Sequence, residues 1–212
     1  MCILKLLSPT ATFLLVLAHG IAHADMTLLG GRPQLGIELE HEKGADGNSR
    51  ANSMTLFPGI AWKEGWITRA ELLLMREHEV ETSGGVTERS EEYAYGFRLR
   101  KDVQFTESFG GFVRVLLGRK GNKDYSYNYG YIEPALQWKI NERIELYSGY
   151  RLIRGIGSLG SVTAPDKNQL RMGPGFDIDE RHGVDLRWSR TWDAHSRVRL
   201  SDSVEVEYNY RF

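Results

Sequence analysis

Cysteine is almost missing from these 212 residues: Cys2 is the only one, so a disulfide framework and a thiolate metal site are both excluded. Long hydrophobic runs are missing too. The apolar stretch from Ala11 to Ala18 is too short to span a bilayer, and no later stretch approaches the roughly 20 apolar residues of a membrane helix. Nor is there an excess of one charge, since 27 Lys and Arg face 28 Asp and Glu, and nothing in that balance points to nucleic acid as a partner. A chain of this kind can enter a membrane only as a closed sheet, because every backbone polar group must find its partner within the fold.

The N-terminal segment reads as a secretory signal peptide over residues 1–24. Lys5 is the only charge before the apolar run, and Ala22-His23-Ala24 fits the small-x-small rule for cleavage before Asp25. Removal takes Cys2 with it and leaves residues 25–212 as a single domain.

What is abundant is glycine and aromatic side chains: 23 Gly, 10 Tyr, 8 Phe and 5 Trp accompany a negative mean hydropathy. A membrane barrel has this composition, because half of each strand faces a polar interior. The chain ends Val204-Glu205-Val206-Glu207-Tyr208-Asn209-Tyr210-Arg211-Phe212, apolar or aromatic at even positions and polar at odd ones. This segment resembles the closing strand of bacterial outer-membrane β-barrels. The resemblance implies an outer-membrane location among lipid and lipopolysaccharide, with Tyr208, Tyr210 and Phe212 as a signal for the barrel-assembly machinery.

Period-2 alternation between turn signals gives ten strands, over residues 34–41, 52–62, 66–78, 91–101, 110–119, 127–139, 143–154, 168–178, 183–190 and 203–212. The expected fold is all-β, a closed antiparallel transmembrane barrel of about ten strands, twelve being the other possibility, with both termini periplasmic. The connectors at 62–66, 139–143 and 179–183 read as short periplasmic turns, and those at 79–90, 155–167 and 191–202 as longer outer loops. Pro58, Pro134 and Pro174 recur at matching places and predict local bulges or kinks. Trp62, Trp66 and Trp138 fall at the periplasmic rim.

The same alternation sorts the charges inward. One parity carries Leu35, Ile37, Leu39, Tyr95, Phe97, Val113, Val115 and Leu117 toward lipid, and the other carries Glu38, Glu40, Arg69, Glu71, Arg98, Arg100, Arg114, Glu133, Lys139, Arg143, Arg151, Arg171, Arg187, Glu205 and Glu207 inward. Because the first and last strands must meet, Glu38, Glu40, Glu205 and Glu207 form an acidic wall, expected to face a basic wall of Arg98, Arg100 and Arg114. This lining predicts a porin-like channel for small polar or acidic solutes, with those residues and Arg69, Arg151, Arg171 and Arg187 as lumen contacts. The alternative is a closed structural or adhesive barrel zipped by salt bridges. Tyr147-Ser148-Gly149-Tyr150-Arg151 and Leu136-Gln137-Trp138-Lys139 also resemble, loosely, the oligogalacturonate-specific porin family, which implies acidic oligosaccharides as solutes.

An outer-membrane hydrolase needs His beside a carboxylate or Ser near the outer rim. Glu77-His78-Glu79 and Asp193-Ala194-His195-Ser196 are the only fragments of that kind, and neither matches a barrel-enzyme motif. No enzyme, metal or cofactor is expected.

Overall fold

The computed structural model describes residues 30–81, 87–159 and 164–212, so the expected signal peptide lies outside the described residues. Strands β1 (Arg32–Gly44), β2 (Ser49–Ala61), β3 (Trp66–Glu81), β4 (Thr87–Glu91), β5 (Tyr93–Gln104) and β6 (Phe109–Gly121) lead into β7 (Ser126–Lys139), β8 (Ile144–Leu159), β9 (Lys167–Asp177), β10 (His182–Asp193) and β11 (Arg199–Arg211). Apart from β4 and β5, consecutive strands pair antiparallel, and β11 returns to β1 in unbroken register from Gln34 opposite Arg211 to Gly44 opposite Ser201. The sheet therefore closes on itself. β4 and β5 both pair with β3, and the Glu92 N–H between them donates to the Arg76 carbonyl at 3.2 Å, so they are one stave carrying a bulge. Ten staves result, which puts both ends of the barrel domain on one side.

The alternation explains the wall. Leu117, Phe97 and Val204 are 67%, 58% and 54% exposed, yet each stands beside strand neighbours that are buried or half-buried, the pattern of an apolar outer face around a packed interior. The hairpins have a common local cause. Asp46, Asn122, Asn141, Asp179 and Asp193 each stand early in a connector and accept the N–H groups two and three residues on, at 2.7–3.1 Å. Thr106 does the same for the Phe109 N–H at 3.0 Å. Beyond Trp62, the turn at Lys63–Gly65 needs positive φ at Glu64 and Gly65, which glycine supplies without strain at its own position.

Two expectations are corrected. Of the three outer loops expected to be long, the one described throughout shrinks to the five-residue connector 194–198, close to the four-residue turns 105–108, 140–143 and 178–181 at the other end, and the connectors 45–48 and 122–125 are short as expected. Polar residues at both ends of 79–90, 155–167 and 191–202 continue the staves, because ladder hydrogen bonds persist beyond the apolar band without needing a greasy face; parts of the first two segments lie outside the described residues. The prolines also cause no bulge. At Pro58, Pro134 and Pro174 the ladder loses two residue pairs on one side and resumes in the same register, which is what a missing N–H removes. The register shifts fall elsewhere, at Met54/Thr55, Asn128/Tyr129 and Thr191/Trp192.

Candidate functional site: the charged interior

The seam of β1 and β11 sets Glu38 directly opposite Glu207 and Glu40 directly opposite Glu205. Four carboxylates in such proximity demand cations, and these come from neighbouring staves on both sides. Arg187 of β10 reaches Glu207 at 2.5 Å and Glu38 at 3.5 Å, while Arg171 of β9 bonds Glu205 and lies 3.8 Å from Glu38. From the other side, Arg69 of β3 meets Glu207 at 2.7 Å and Gln34 at 2.9 Å, and Arg76 lies 3.6 Å from Glu40. The acidic wall is real, but it faces no separate basic wall. Arg98 is paired to Glu71 at 2.7 Å, Arg100 to Asp102 at 2.6 Å and Arg114 to Glu133 at 3.4 Å, each within its own neighbourhood.

Glu133 of β7 is the hub of the interior. It is fully buried, and it accepts from Arg151 at 2.9 and 3.0 Å, from Arg114 at 3.4 Å, from Arg171 at 3.5 Å and from the Tyr147 hydroxyl. Since Arg171 also meets Glu205 and lies near Glu38, a chain of ion pairs runs from Arg114 on β6 through β7, β9, β1, β10 and β11 to Arg69 on β3, with Arg151 of β8 joined at Glu133. Burying ions costs several kcal/mol apiece unless the geometry and remaining hydrogen bonds compensate; Glu133, Glu207 and Glu38 each meet more than one guanidinium.

Aromatic side chains fill what the charges leave. Phe57 is buried under the Arg98 guanidinium at 4.3 Å, Phe112 stacks parallel on Tyr147 at 5.6 Å beneath Arg100 at 3.9 Å, and Arg151 lies 4.2 Å above Tyr131. A Cβ on Gly149 would meet the Tyr147 hydroxyl at 2.6 Å, so glycine is what lets that ring fold across the wall. The cavity bordered by Arg100, Arg114, Gln137, Glu145 and Arg187 measures about 30 Å³, room for a couple of water molecules. This packing overturns the expected open pore. The parity rule located the charges, but the same parity also sends Phe57, Phe112, Leu116, Tyr131 and Tyr147 inward, and together they occlude the lumen.

Both mouths are tied as well. At the outer end Arg76 bonds Glu42 and lies 2.9 Å from Glu92, which also takes Lys120 at 2.8 Å and the Tyr125 hydroxyl at 2.8 Å. Tyr125, Tyr127 and Tyr129 descend from that mouth with ring centroids 6.3 Å apart. At the other end Arg211 meets Asp177 at 2.6 Å, whereas Lys139 and Arg143, assigned inward by parity, are exposed where β7 turns into β8. Tyr208, Tyr210 and Phe212 lie on the outer face at this rim. Tyr208 shares a 2.5 Å hydrogen bond with His182, Tyr210 and Phe212 meet edge to face at 4.7 Å, and the Phe212 N–H donates to Pro33 at 3.1 Å.

The Asp193–Ser196 fragment is held in a turn. Asp193 accepts from the His195 and Ser196 N–H groups and from the Ser196 hydroxyl at 2.9 Å, which closes a turn and leaves the His195 imidazole 3.9 Å from Asp166. His41 is bonded to Asn52 at 2.8 Å. Among the described residues no cluster of three or more His, Cys, Asp or Glu could hold a metal ion.

No known protein family matches the chain, and curated proteins give no match. Solved structures do. The β domain of the Bordetella autotransporter BrkA is similar over 86% of this chain and all of its own, with a TM-score of 0.57 at 10% identity. An outer membrane channel from Pseudomonas putida F1 is similar over 90% of this chain and all of its own, with a TM-score of 0.55 at 7% identity. The KdgM porin is similar over 84% of this chain and 99% of its own, with a TM-score of 0.41 at 10% identity. The fold is that of bacterial outer-membrane β-barrels, and the apolar outer wall belongs in that membrane.

Proposed function

We propose that the protein is a closed structural barrel of the outer membrane whose interior is a salt-bridged plug. Glu133 carries this reading: it is fully buried and shared by Arg114, Arg151 and Arg171, and Glu205 and Glu207 beside it are buried and paired as well. The scaffold alone is silent here, since an autotransporter β domain and a channel match it about equally. In this reading Arg69, Arg98, Arg100, Arg114, Arg151, Arg171 and Arg187, with Glu38, Glu40, Glu205 and Glu207, are members of the plug rather than solute contacts. Among the described residues the outer hairpins at 45–48, 122–125 and 194–198 are short, which favours a structural over an adhesive role.

The protein's partners are then outer-membrane lipid, lipopolysaccharide and the barrel-assembly machinery, the last reading Tyr208, Tyr210 and Phe212. The loose resemblance to oligogalacturonate-specific porins reflects shared barrel patterning. Planar-bilayer recordings of the refolded barrel test the proposal. A quiet bilayer with the wild type is expected, and steady single-channel steps would overturn it.

A further inference from the structure

The outer wall is not uniformly convex. Where β6, β7 and β8 run side by side, Gly111 and Ser148 flank Leu136 in one hydrogen-bonded row and present little or no side chain to the membrane. Val113 and Tyr150 rise on one side of this row, and Phe105 leans over it from the 105–108 turn: a Cβ on Gly111 would lie 3.6 Å from the Phe105 ring. The result is an apolar trench of about 420 Å³ that opens toward lipid and starts at the rim bearing the termini.

An unfilled trench there would forfeit dispersion contacts along its whole lining, and a hydrocarbon chain restores them at roughly 0.8 kcal/mol per buried methylene. The rim end carries a cation. Lys139 is exposed, and its backbone N–H donates to the Ser108 carbonyl at 2.8 Å, which fixes the backbone that carries this cation beside the hairpin that supplies Phe105. Trp138, 55% exposed, lies next to it at the level where indole rings prefer the interface.

We propose that the trench is a phospholipid site: one acyl chain of a lipid in the periplasm-facing leaflet lies over Gly111 and Ser148, and its phosphate meets Lys139. This does not depend on whether the interior is closed. Native mass spectrometry of the barrel taken from mixed micelles containing phosphatidylglycerol tests it. The wild type is expected to keep one phosphatidylglycerol at collision energies that strip the remainder. Ser148→Leu, which fills the trench from an exposed position, is expected to cut that occupancy at least fivefold, while Val206→Leu on the far wall leaves it unchanged. Lys139→Gln is expected to lower retention of phosphatidylglycerol to that of phosphatidylcholine. If Ser148→Leu fails to give a heat-modifiable folded band, Phe105→Ala, which removes the roof, must produce the same loss. Equal retention by wild type and trench variants would overturn the site, as would dimers that Ser148→Leu dissolves, because a second copy would then be the occupant. Retention indifferent to headgroup and to Lys139→Gln would overturn the phosphate contact.

Discussion

Replacing Glu133 with Gln removes one charge from the most connected point of the plug and keeps its shape. Among the described residues, Arg114 and Arg151 have no carboxylate other than Glu133, whereas Arg171 keeps Glu205 and Glu38. Two guanidinium groups are thus left buried without a counter-ion. Breaking a buried pair from one side costs about 3–5 kcal/mol, a large share of the roughly 5–15 kcal/mol that holds a domain folded. Denaturant unfolding of the barrel in micelles, followed by tryptophan fluorescence and heat-modifiable migration, reads the loss. A Glu133→Gln, Arg151→Gln double variant should be less unstable than the sum of its parts by about 0.5–3 kcal/mol, since it removes one orphaned cation. A change below about 1 kcal/mol for Glu133→Gln, the range of solvated surface pairs, would refute the argument and mean that water surrounds the hub.

Deleting Phe212 removes its contacts with Tyr210 and Pro33 and, if this end is the assembly signal, slows insertion; the folded fraction in pulse-chase gels should fall severalfold. Lys123→Cys should react with an impermeant thiol reagent on intact cells and Glu107→Cys only after the membrane is opened; reversed labelling would invert the topology. N-terminal sequencing of the membrane-inserted protein should begin at Asp25. The turn N–H groups of Asn48 and Ser49, with the Ser49 hydroxyl, hold the Asp46 carboxyl below its usual range. Its contribution to the hairpin is therefore complete above an ordinary carboxyl pKa near 4 and disappears as pH falls through the lower folded value. Amide exchange at Ser49 should accelerate relative to its intrinsic rate only under that acid condition, and at all pH values in Asp46→Ala.

The architecture was largely legible because a period of two is dictated by strand geometry. The ten segments and the meeting of Glu38 and Glu40 with Glu205 and Glu207 follow from alternation and closure alone. Strand ends were less so, since the polar residues beyond the apolar band pair as well as they loop; 34–41 became Arg32–Gly44 for that reason. Whether the lumen is open was not legible. That depends on how far a guanidinium reaches across several staves, as Arg69 does to Glu207, and reach is set by barrel width and stagger rather than by any local pattern. The interior aromatics could have been found from parity: Phe112 lies two residues before Arg114, and Tyr131 two before Glu133.

The seam has a consequence for the order of assembly. Every other junction joins neighbouring staves through a connector, but the β1–β11 pairing brings Gln34 to Arg211, and closing so long a loop costs roughly 3 kcal/mol more than closing a four-residue turn. Until it closes, both edges present unpaired amides and a row of carboxylates, Glu38 and Glu40 on one and Glu205 and Glu207 on the other. These edges repel each other, and they repel the same edges of other chains, as inward-pointing charges on free strands do. Repulsion turns to attraction only when Arg171 and Arg187 have been delivered by β9 and β10 and Arg69 by β3. In the finished barrel the seam is thus held by its backbone ladder and by cations that stand on other staves, so the plug and the closure of the wall depend on each other.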